Sequence, residues 1–221
     1  MKQVIAHRGA SGSELENSAA AIKKALSLKL DVIEIDVRLT QDKKLILCHD
    51  ADLQVMAGDD RKVSDLTWAE LKQIRLRDGS RLLSLRDFMK MVGRQGLVIE
   101  AKESGSEDEL IDVLDDFPKS RVTIASFKRG VLSAVRKQRP DLALYVLEHT
   151  NPSDAVHFAS RQKLQGIGLN FWILNPITYH QARRAKLDVY VYTVNNRFFG
   201  KFLSFLYPSV TICTDHPERF I

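Results

Sequence analysis

Short apolar runs alternate along the chain with longer segments in which apolar residues recur at helical spacing. The short runs are rich in Val, Ile and Leu and predict strands, whereas the longer segments predict amphipathic helices. The predicted strands lie near residues 4–6, 32–38, 97–102, 122–127, 142–147, 166–170, 188–193 and 210–214. The predicted helices lie near residues 18–28, 85–92, 107–116, 130–138, 152–162, 176–185 and 196–206.

This alternation predicts parallel strands joined by crossover helices. Eight such strands favour a closed (β/α)8 TIM barrel over the second interpretation, an open doubly wound sheet. No Gly-rich phosphate-binding motif follows any predicted strand, which weakens the open-sheet interpretation. The short remainder after the eighth strand, residues 215–221, predicts a shortened or missing last helix.

One segment interrupts the alternation. Residues 45–48 predict a strand soon after the second one, separated from it by the turn-like residues 41–44. Residues 51–83 then form a polar insertion with a predicted helix near 67–74, for which Ser64 or Thr67 could be the cap. We therefore expect one domain over residues 1–221, with a small insertion at about 45–83.

The amino-acid composition and net charge limit the kinds of molecule that this protein is expected to bind. The chain of 221 residues is 44% hydrophobic and 28% charged, which is typical of a globular protein. Its net charge of +5 comes from Lys and Arg spread along the chain, so a nucleic-acid partner is not expected and an anionic small molecule is compatible. Cys48 and Cys213 lie in apolar runs outside any metal-binding spacing, which predicts buried thiols.

The sequence also bears on location. The N-terminal residues lack the apolar run of a secretory signal, and no stretch approaches the roughly 20 apolar residues of a membrane span. We therefore expect a cytoplasmic protein without stable membrane insertion. The sequence leaves the oligomeric state open.

Carboxylates occur at two predicted strand ends. Glu34 and Asp36 are two residues apart, so they lie on one face of the second strand, and Glu100 takes the same phase in the third predicted strand. Because functional residues of a barrel lie at the carboxyl ends of its strands, we expect these carboxylates to share an oxygen-rich site for Mg²⁺ or Ca²⁺. The alternative is that some of them form salt bridges with Lys102 or Arg8.

Two histidines and two cations lie beside this predicted site. His7 and His49 each follow a strand-like run, and histidine can both accept and donate a proton near neutral pH. We expect them to act as base and acid, although a lone histidine at a strand end is often structural. Arg8 and Lys102 would bring positive charge that suits a phosphate ester or, alternatively, balances the carboxylates.

Together these motifs resemble the glycerophosphodiester phosphodiesterase family. The resemblance covers nearly the whole chain, and the ordered combination is far more specific than any single motif. The matching residues are His7-Arg8-Gly9-Ala10, Glu16-Asn17, Glu34 and Asp36, Leu39-Thr40 and Asp42, His49-Asp50, Asp65-Leu66-Thr67, Leu83-Ser84-Leu85, Glu100 and Lys102, Thr193-Val194-Asn195, and Thr214-Asp215.

The resemblance implies a (β/α)8 barrel that hydrolyses glycerophosphodiesters to an alcohol and sn-glycerol 3-phosphate. It also implies roles for the residues already singled out: a divalent metal held by Glu34, Asp36 and Glu100, acid–base catalysis by His7 and His49, and phosphate contacts from Arg8 and Lys102. The sequence departs from the family pattern at Leu15, at Tyr192 and in residues 55–57, which affects substrate preference more than catalysis.

Two other functions are compatible with the same fold. A phospholipase D-like or lysophospholipase D-like enzyme would need an apolar entry surface, which residues 171–174 could supply. Phe198-Phe199 and Phe202-Leu203 are expected to pack the seventh predicted helix against the barrel. A barrel that binds phosphodiesters without turnover is disfavoured, because no expected catalytic position is lost.

Overall fold

The computed structural model describes residues 4–221. Its strands are β1 (Val4–Ala6), β2 (Val32–Leu39), β3 (Leu45–Leu47), β4 (Asp52–Leu53), β5 (Asp59–Lys62), β6 (Gly96–Ala101), β7 (Arg121–Ser126), β8 (Ala143–Glu148), β9 (Gly166–Asn170), β10 (Asp188–Tyr192) and β11 (Val210–Thr214). Its helices are α1 (Ala19–Ser27), α2 (Gln54–Ala57), α3 (Trp68–Leu71), α4 (Leu85–Val92), α5 (Glu107–Asp115), α6 (Arg129–Gln138), α7 (Pro152–Arg161), α8 (Pro176–Arg184) and α9 (Arg197–Leu206).

Eight parallel strands close into a barrel. The order is β1, β2, β6, β7, β8, β9, β10 and β11, and β11 pairs again with β1. This closure confirms the predicted (β/α)8 barrel and excludes the open sheet. In the register between β2 and β6, Asp36 lies directly beside Glu100, so the two strands present carboxylates at the same level.

The two faces of the barrel strands bury different residues. The outward aliphatic side chains, such as Ile33, Ile35 and Ile99, pack under the helices in the main core. The centre of the barrel is filled by a second cluster: Ile5, Val98, Ala125, Leu147, Tyr190 and Cys213. This apolar plug lies below the carboxyl ends of the strands, so the polar inward positions above it are restricted to one end of the barrel.

The sequence predicts a polar insertion after β2, but the interior of this insertion is apolar. The strand β3 runs antiparallel to β2, with Leu47 opposite Val37. Buried residues that include Met56 and Leu71 give the insertion a small apolar cluster of its own. Its helix α3 is shorter than the predicted 67–74 and begins with a capping box between Thr67 and Glu70.

Within residues 4–221, the last strand is followed by a single 3₁₀ turn, Pro217–Arg219. Phe220 closes this region by packing against Gly200 of α9, where a Cβ atom would lie only 2.5 Å from its ring. Of the helices in residues 4–221, none combines the length and the apolar character that crossing a bilayer requires.

Candidate active site

Three carboxylates converge at the carboxyl ends of β2 and β6. Glu34, Asp36 and Glu100 are all buried, and each offers an oxygen within 4.8 Å of the others. Two oxygens on one ion are separated by at most about twice the metal–oxygen distance, about 4.2 Å for Mg²⁺ and about 5 Å for Ca²⁺. A spread of up to 4.8 Å fits one Ca²⁺ ion as it stands, whereas Mg²⁺ requires the three oxygens to lie within about 4.2 Å of one another.

The hydrogen bonding of the carboxylate oxygens is a second indication of a cation site. Asp36 Oδ1 is buried and makes no hydrogen bond of good geometry, although Lys102 Nζ lies 2.9 Å away in an ion pair. A buried carboxylate oxygen that is not fully satisfied by the protein is available to a cation.

Burial separates the protonation states of the carboxylates. Desolvation and the neighbouring charge of Asp36 raise the pKa of Glu34 to about 8 and also raise the pKa of Glu100. Burial acts in the same direction on Asp36, but the charges of Lys102 and Arg8 outweigh it and hold its pKa well below the usual range. Without a metal, Asp36 therefore carries the negative charge and Glu34 holds a proton at neutral pH.

Arg8 and Lys102 both contact these carboxylates. Arg8 Nη1 donates to Glu16 at 2.8 Å, and its Nε lies 3.1 Å from Asp36 Oδ2. Lys102 Nζ donates to Glu100 Oε1 at 2.6 Å. The charge-balancing alternative therefore describes the contacts present in this structure, whereas contact with a phosphate group stays a prediction.

The loop after β1 needs an unusual backbone. Arg8 and Asn17 both have left-handed φ angles of +54°, and Gly9 has a φ of +82°. A Cβ at Gly9 would lie 2.7 Å from the backbone of Ala21, so only glycine allows this close approach. The conformation directs the backbone N–H of Arg8 to Glu34 Oε2 at 2.9 Å.

Sequence reasoning assigned no role to Asn17, although the Glu-Asn pair was visible as a motif. Its Nδ2 donates to Asp36 Oδ2 at 3.0 Å, and its Oδ1 accepts from the backbone N–H of Asp36 at 3.2 Å. Asn17 is almost completely buried. It therefore fixes the orientation of Asp36, the member of the three-carboxylate cluster whose pKa is lowered.

His7 is oriented by residues from the end of the chain. Its Nδ1 lies 2.6 Å from Asp215 Oδ1, and Asp215 also accepts from Asn195 Nδ2 at 2.7 Å and lies within 3.1 Å of Ser11 Oγ. Burial alone would lower the pKa of His7, but the hydrogen bond to Asp215, together with the nearby carboxylates, outweighs burial and raises it. Asp215 and Asn195 lie in two motifs that carry the family resemblance, but nothing in the sequence indicates that they contact His7.

His49 has the opposite electrostatic setting. It follows β3, and its Nδ1 lies 2.7 Å from the neighbouring Asp50 Oδ1. Burial and the positive charges of Lys102 and Arg8 lower its pKa, and the attraction of Asp36 does not compensate. The two predicted acid–base residues thus differ in proton affinity, with His7 the more basic.

All seven predicted site residues lie at one end of the barrel, on or just after β1, β2, β3 and β6. A small cavity of about 20 Å³ between the strands is lined by His7, Glu34 and Glu100, with Tyr192 on the opposite wall. The Tyr192 hydroxyl donates to the backbone oxygen of Glu148 at 2.9 Å, which fixes the ring at this position.

Comparisons with known proteins agree with this arrangement. A glycerophosphodiester phosphodiesterase from Caldanaerobacter subterraneus subsp. tengcongensis is 28% identical over 209 residues, covering 88% of this chain and 86% of the relative. A second enzyme with this name, from Bacillus subtilis, is 26% identical over 223 residues, covering 87% of this chain and 76% of the relative.

A solved structure shares the fold. The phosphodiesterase from Oleispira antarctica, in complex with the product sn-glycerol 3-phosphate, superposes with a TM-score of 0.89 at 22% identity, covering 100% of this chain and 95% of its own. The sequence model of the glycerophosphoryl diester phosphodiesterase family matches residues 7–219. The chain therefore belongs to the glycerophosphoryl diester phosphodiesterase family, a family of phosphoric diester hydrolases.

Proposed function

We propose that this chain hydrolyses glycerophosphodiesters to an alcohol and sn-glycerol 3-phosphate, with Mg²⁺ or Ca²⁺ held by Glu34, Asp36 and Glu100. The observation that carries the proposal is the convergence of these buried carboxylates, within 4.8 Å of one another, at the barrel end that also holds His7 and His49. When bound, the divalent ion would supply Lewis-acid stabilisation of negative charge on the phosphate oxygens.

His7 is the proposed base. It takes a proton from the attacking oxygen, which is either water or the 2-hydroxyl of the glycerol group, the latter giving a cyclic phosphate first. The raised pKa of His7 makes it the stronger proton acceptor of the pair, and Asp215 stabilises the imidazolium that forms.

His49 is the proposed acid. The lowered pKa of this residue makes its protonated form the better donor to the leaving alcohol oxygen. In-line displacement places attacking and leaving oxygens on opposite sides of phosphorus, which requires a base and an acid on separate elements. His7 and His49 meet this requirement because they follow β1 and β3.

Turnover of water-soluble substrates tests the proposed function. We expect glycerophosphocholine, glycerophosphoethanolamine and glycerophosphoglycerol to release glycerol 3-phosphate without detergent, in the presence of Mg²⁺ or Ca²⁺. Excess EDTA should stop the reaction, and restoring the cation should restart it. Glycerol 3-phosphate is measured with a coupled dehydrogenase. Failure of every substrate with both cations would contradict the proposal.

The same assay distinguishes the proposed glycerophosphodiester hydrolysis from the lysophospholipase D-like alternative. The relatives that match over most of both chains carry the glycerophosphodiester name, so this alternative is not favoured. An enzyme that cleaves only lysophospholipids presented in micelles would support the alternative instead. The cytoplasmic location stays a prediction.

Removal of the Arg8 guanidinium is expected to impair turnover of all glycerophosphodiesters to a similar degree. Arg8 is proposed to pair with the phosphate group that every substrate shares, whereas the alcohol is proposed to point toward residues 51–66. The measurement compares kcat/KM of Arg8→Ala across choline, ethanolamine and glycerol esters. Lys23→Ala, which removes an exposed cation of α1, is the control. A loss confined to one alcohol would contradict this role.

The contact between Asp215 and His7 predicts a shift in the pH profile. Asp215→Asn removes the negative charge that raises the pKa of His7, so this pKa should fall. Because the base must be neutral to act, the acidic limb of kcat/KM should move to lower pH while kcat decreases. Ser11→Ala removes a weaker contact to the same carboxylate and should shift the limb less. An unchanged profile in Asp215→Asn would show that His7 does not act as the base.

A further inference from the structure

One side of the molecule exposes an unusual number of apolar side chains. Apart from Val55 and Ile221, every large hydrophobic residue that is exposed in the described chain lies between residues 172 and 206. We call these residues the aromatic face: Trp172 (79% exposed), Ile177 (70%), Phe198 (83%), Phe202 (53%), Phe205 (81%) and Leu206 (46%). Single exposed apolar residues are ordinary, but a cluster of them indicates an interaction surface.

Three of these residues form a stripe along α9. Phe198, Phe202 and Phe205 are spaced by four and three residues, so they lie on the same side of the helix. The opposite side of α9 is buried, with Leu203 in the main core. The expectation that this segment packs the helix against the barrel is confirmed for Phe199 and Leu203 and is wrong for Phe198 and Phe202. Both rings face solvent.

The aromatic face reaches the end of the barrel that holds the candidate active site. Trp172 follows the carboxyl end of β9 and stacks on Phe171 at 4.6 Å between ring centroids. Phe171 in turn meets Phe199 at 5.4 Å, in the first turn of α9. Since β9 ends and α9 begins at the carboxyl ends of the barrel strands, Trp172 and Phe198 lie at the rim of the site.

The segment that carries most of this face is rich in cations and poor in acids. Between Asp154 and Asp215 the only acidic residue is Asp188, at the start of β10 and therefore at the opposite end of the barrel, where Tyr145 donates to it at 2.9 Å. Seven cations of this segment pair with no carboxylate in residues 4–221: Arg161, Lys163, Arg183, Arg184, Lys186, Arg197 and Lys201. Arg197 and Lys201 lie on α9 itself, whereas Arg183, Arg184 and Lys186 lie at the same end of the barrel as Asp188.

We propose that the aromatic face docks this protein on an anionic lipid surface, with Trp172 and Phe198 inserted at the interface and the rim of the site turned toward the lipid. Exposed aromatic rings flanked by unpaired Lys and Arg are the features by which a protein surface binds anionic headgroups. A second copy of the chain fits the aromatic face less well than an anionic lipid surface does. A symmetric interface would bring Arg197 and Lys201 of two copies together without an acid to pair them.

Vesicle flotation tests the docking. The wild type should bind vesicles of phosphatidylcholine that contain phosphatidylglycerol and should bind vesicles of phosphatidylcholine alone much more weakly. The double variant Trp172→Ala, Phe198→Ala should lose about 10-fold or more in partition, because it withdraws two rings from the interface. The matched control, Val55→Ala with Ile221→Ala, removes exposed apolar side chains outside the face and should bind as the wild type does.

A charge series tests the electrostatic part separately. Lys201→Glu should reduce partition into anionic vesicles by about 25-fold, since each Lys near such a surface contributes about 5-fold and the reversal counts twice. Lys137→Glu reverses an exposed cation on α6 and should leave partition unchanged. The binding of Lys201→Glu should also depend less on salt than that of the wild type, because one of the cations that would face the charged headgroups is reversed.

Three outcomes would overturn the proposal. The first is a wild type that does not float with anionic vesicles, and the second is equal binding by Trp172→Ala, Phe198→Ala and its control. The third is a dimer, seen by sedimentation equilibrium, that the aromatic double variant dissociates, because the face would then be covered by a second copy. Docking is independent of the proposed activity, so an inactive His7→Ala variant should still bind vesicles.

Discussion

Replacement of Glu34 by Gln is expected to weaken binding of Mg²⁺ or Ca²⁺ by about 10²-fold or more and to abolish turnover, because one of three anionic ligands is lost. The fold should hardly change. Burial raises the pKa of Glu34 to about 8, so at neutral pH without metal this side chain is already neutral. Gln reproduces that neutral form and can still accept the hydrogen bond from the backbone N–H of Arg8.

The same pKa predicts proton release on metal binding. Below about pH 8 the cation must displace a proton from Glu34, so its affinity should fall as the pH falls. Glu34→Gln should bind metal weakly with little dependence on pH in this range. Isothermal titration calorimetry in buffers of different ionisation enthalpy measures both the affinity and the number of protons released.

The control for this experiment is Glu16→Gln. Glu16 also contacts Arg8, at 2.8 Å, but lies outside the three-carboxylate cluster. We therefore expect Glu16→Gln to keep most of the metal affinity. Full activity of the wild type in excess EDTA with no bound metal, or unchanged metal affinity in Glu34→Gln, would contradict the proposed metal site.

The placement of the carboxylates could be predicted because it depends on local rules. Residues two apart on a strand face the same side, so Glu34 and Asp36 had to share a face whatever the rest of the fold. Glu100 lies beside Asp36 because their strands are parallel neighbours in the barrel, and this neighbourhood could be predicted from the strand order. These inferences need only the period of a strand and the strand order.

The residues that sequence reasoning missed depend on contacts between distant loops. Asp215 meets His7 only when the barrel closes between β11 and β1, and Asn17 reaches Asp36 only through the left-handed turns that follow His7. Their types are common in loops, so nothing in the local sequence separates them from capping or turn residues.

The error at α9 has a different origin. Arg197, Lys201 and Ser204 share one side of this helix, and Phe, Leu and Gly occupy the remaining wide arc, so the apolar period does not identify which part of that arc faces the barrel. In the structure, the side of α9 that faces the barrel contains Gly200 and the buried Leu203. Gly200 has no side chain and therefore leaves room for the ring of Phe220. Phe198 and Phe202 then lie on the side that is left in solvent.

The substitution of each histidine by Ala should separate the two proton transfers. His49→Ala is expected to lose about 10²–10⁴-fold in kcat on choline and ethanolamine esters, where the leaving alkoxide must be protonated. It should keep much more activity on a glycerophosphodiester with a p-nitrophenol group, because p-nitrophenolate leaves without a proton. His7→Ala should lose activity of the same order on both substrates, since the attacking oxygen always needs its proton removed.

The control is His157→Ala, which removes an exposed histidine of α7 and should leave both rates unchanged. The reverse pattern, with His7→Ala spared on the p-nitrophenyl ester, would exchange the two roles and would conflict with the higher proton affinity that Asp215 gives His7. Equal losses in both variants on both substrates would reject the division of labour altogether. Both histidines would then act on the same proton transfer or position the phosphate together, and the opposite pKa shifts at His7 and His49 would have another cause.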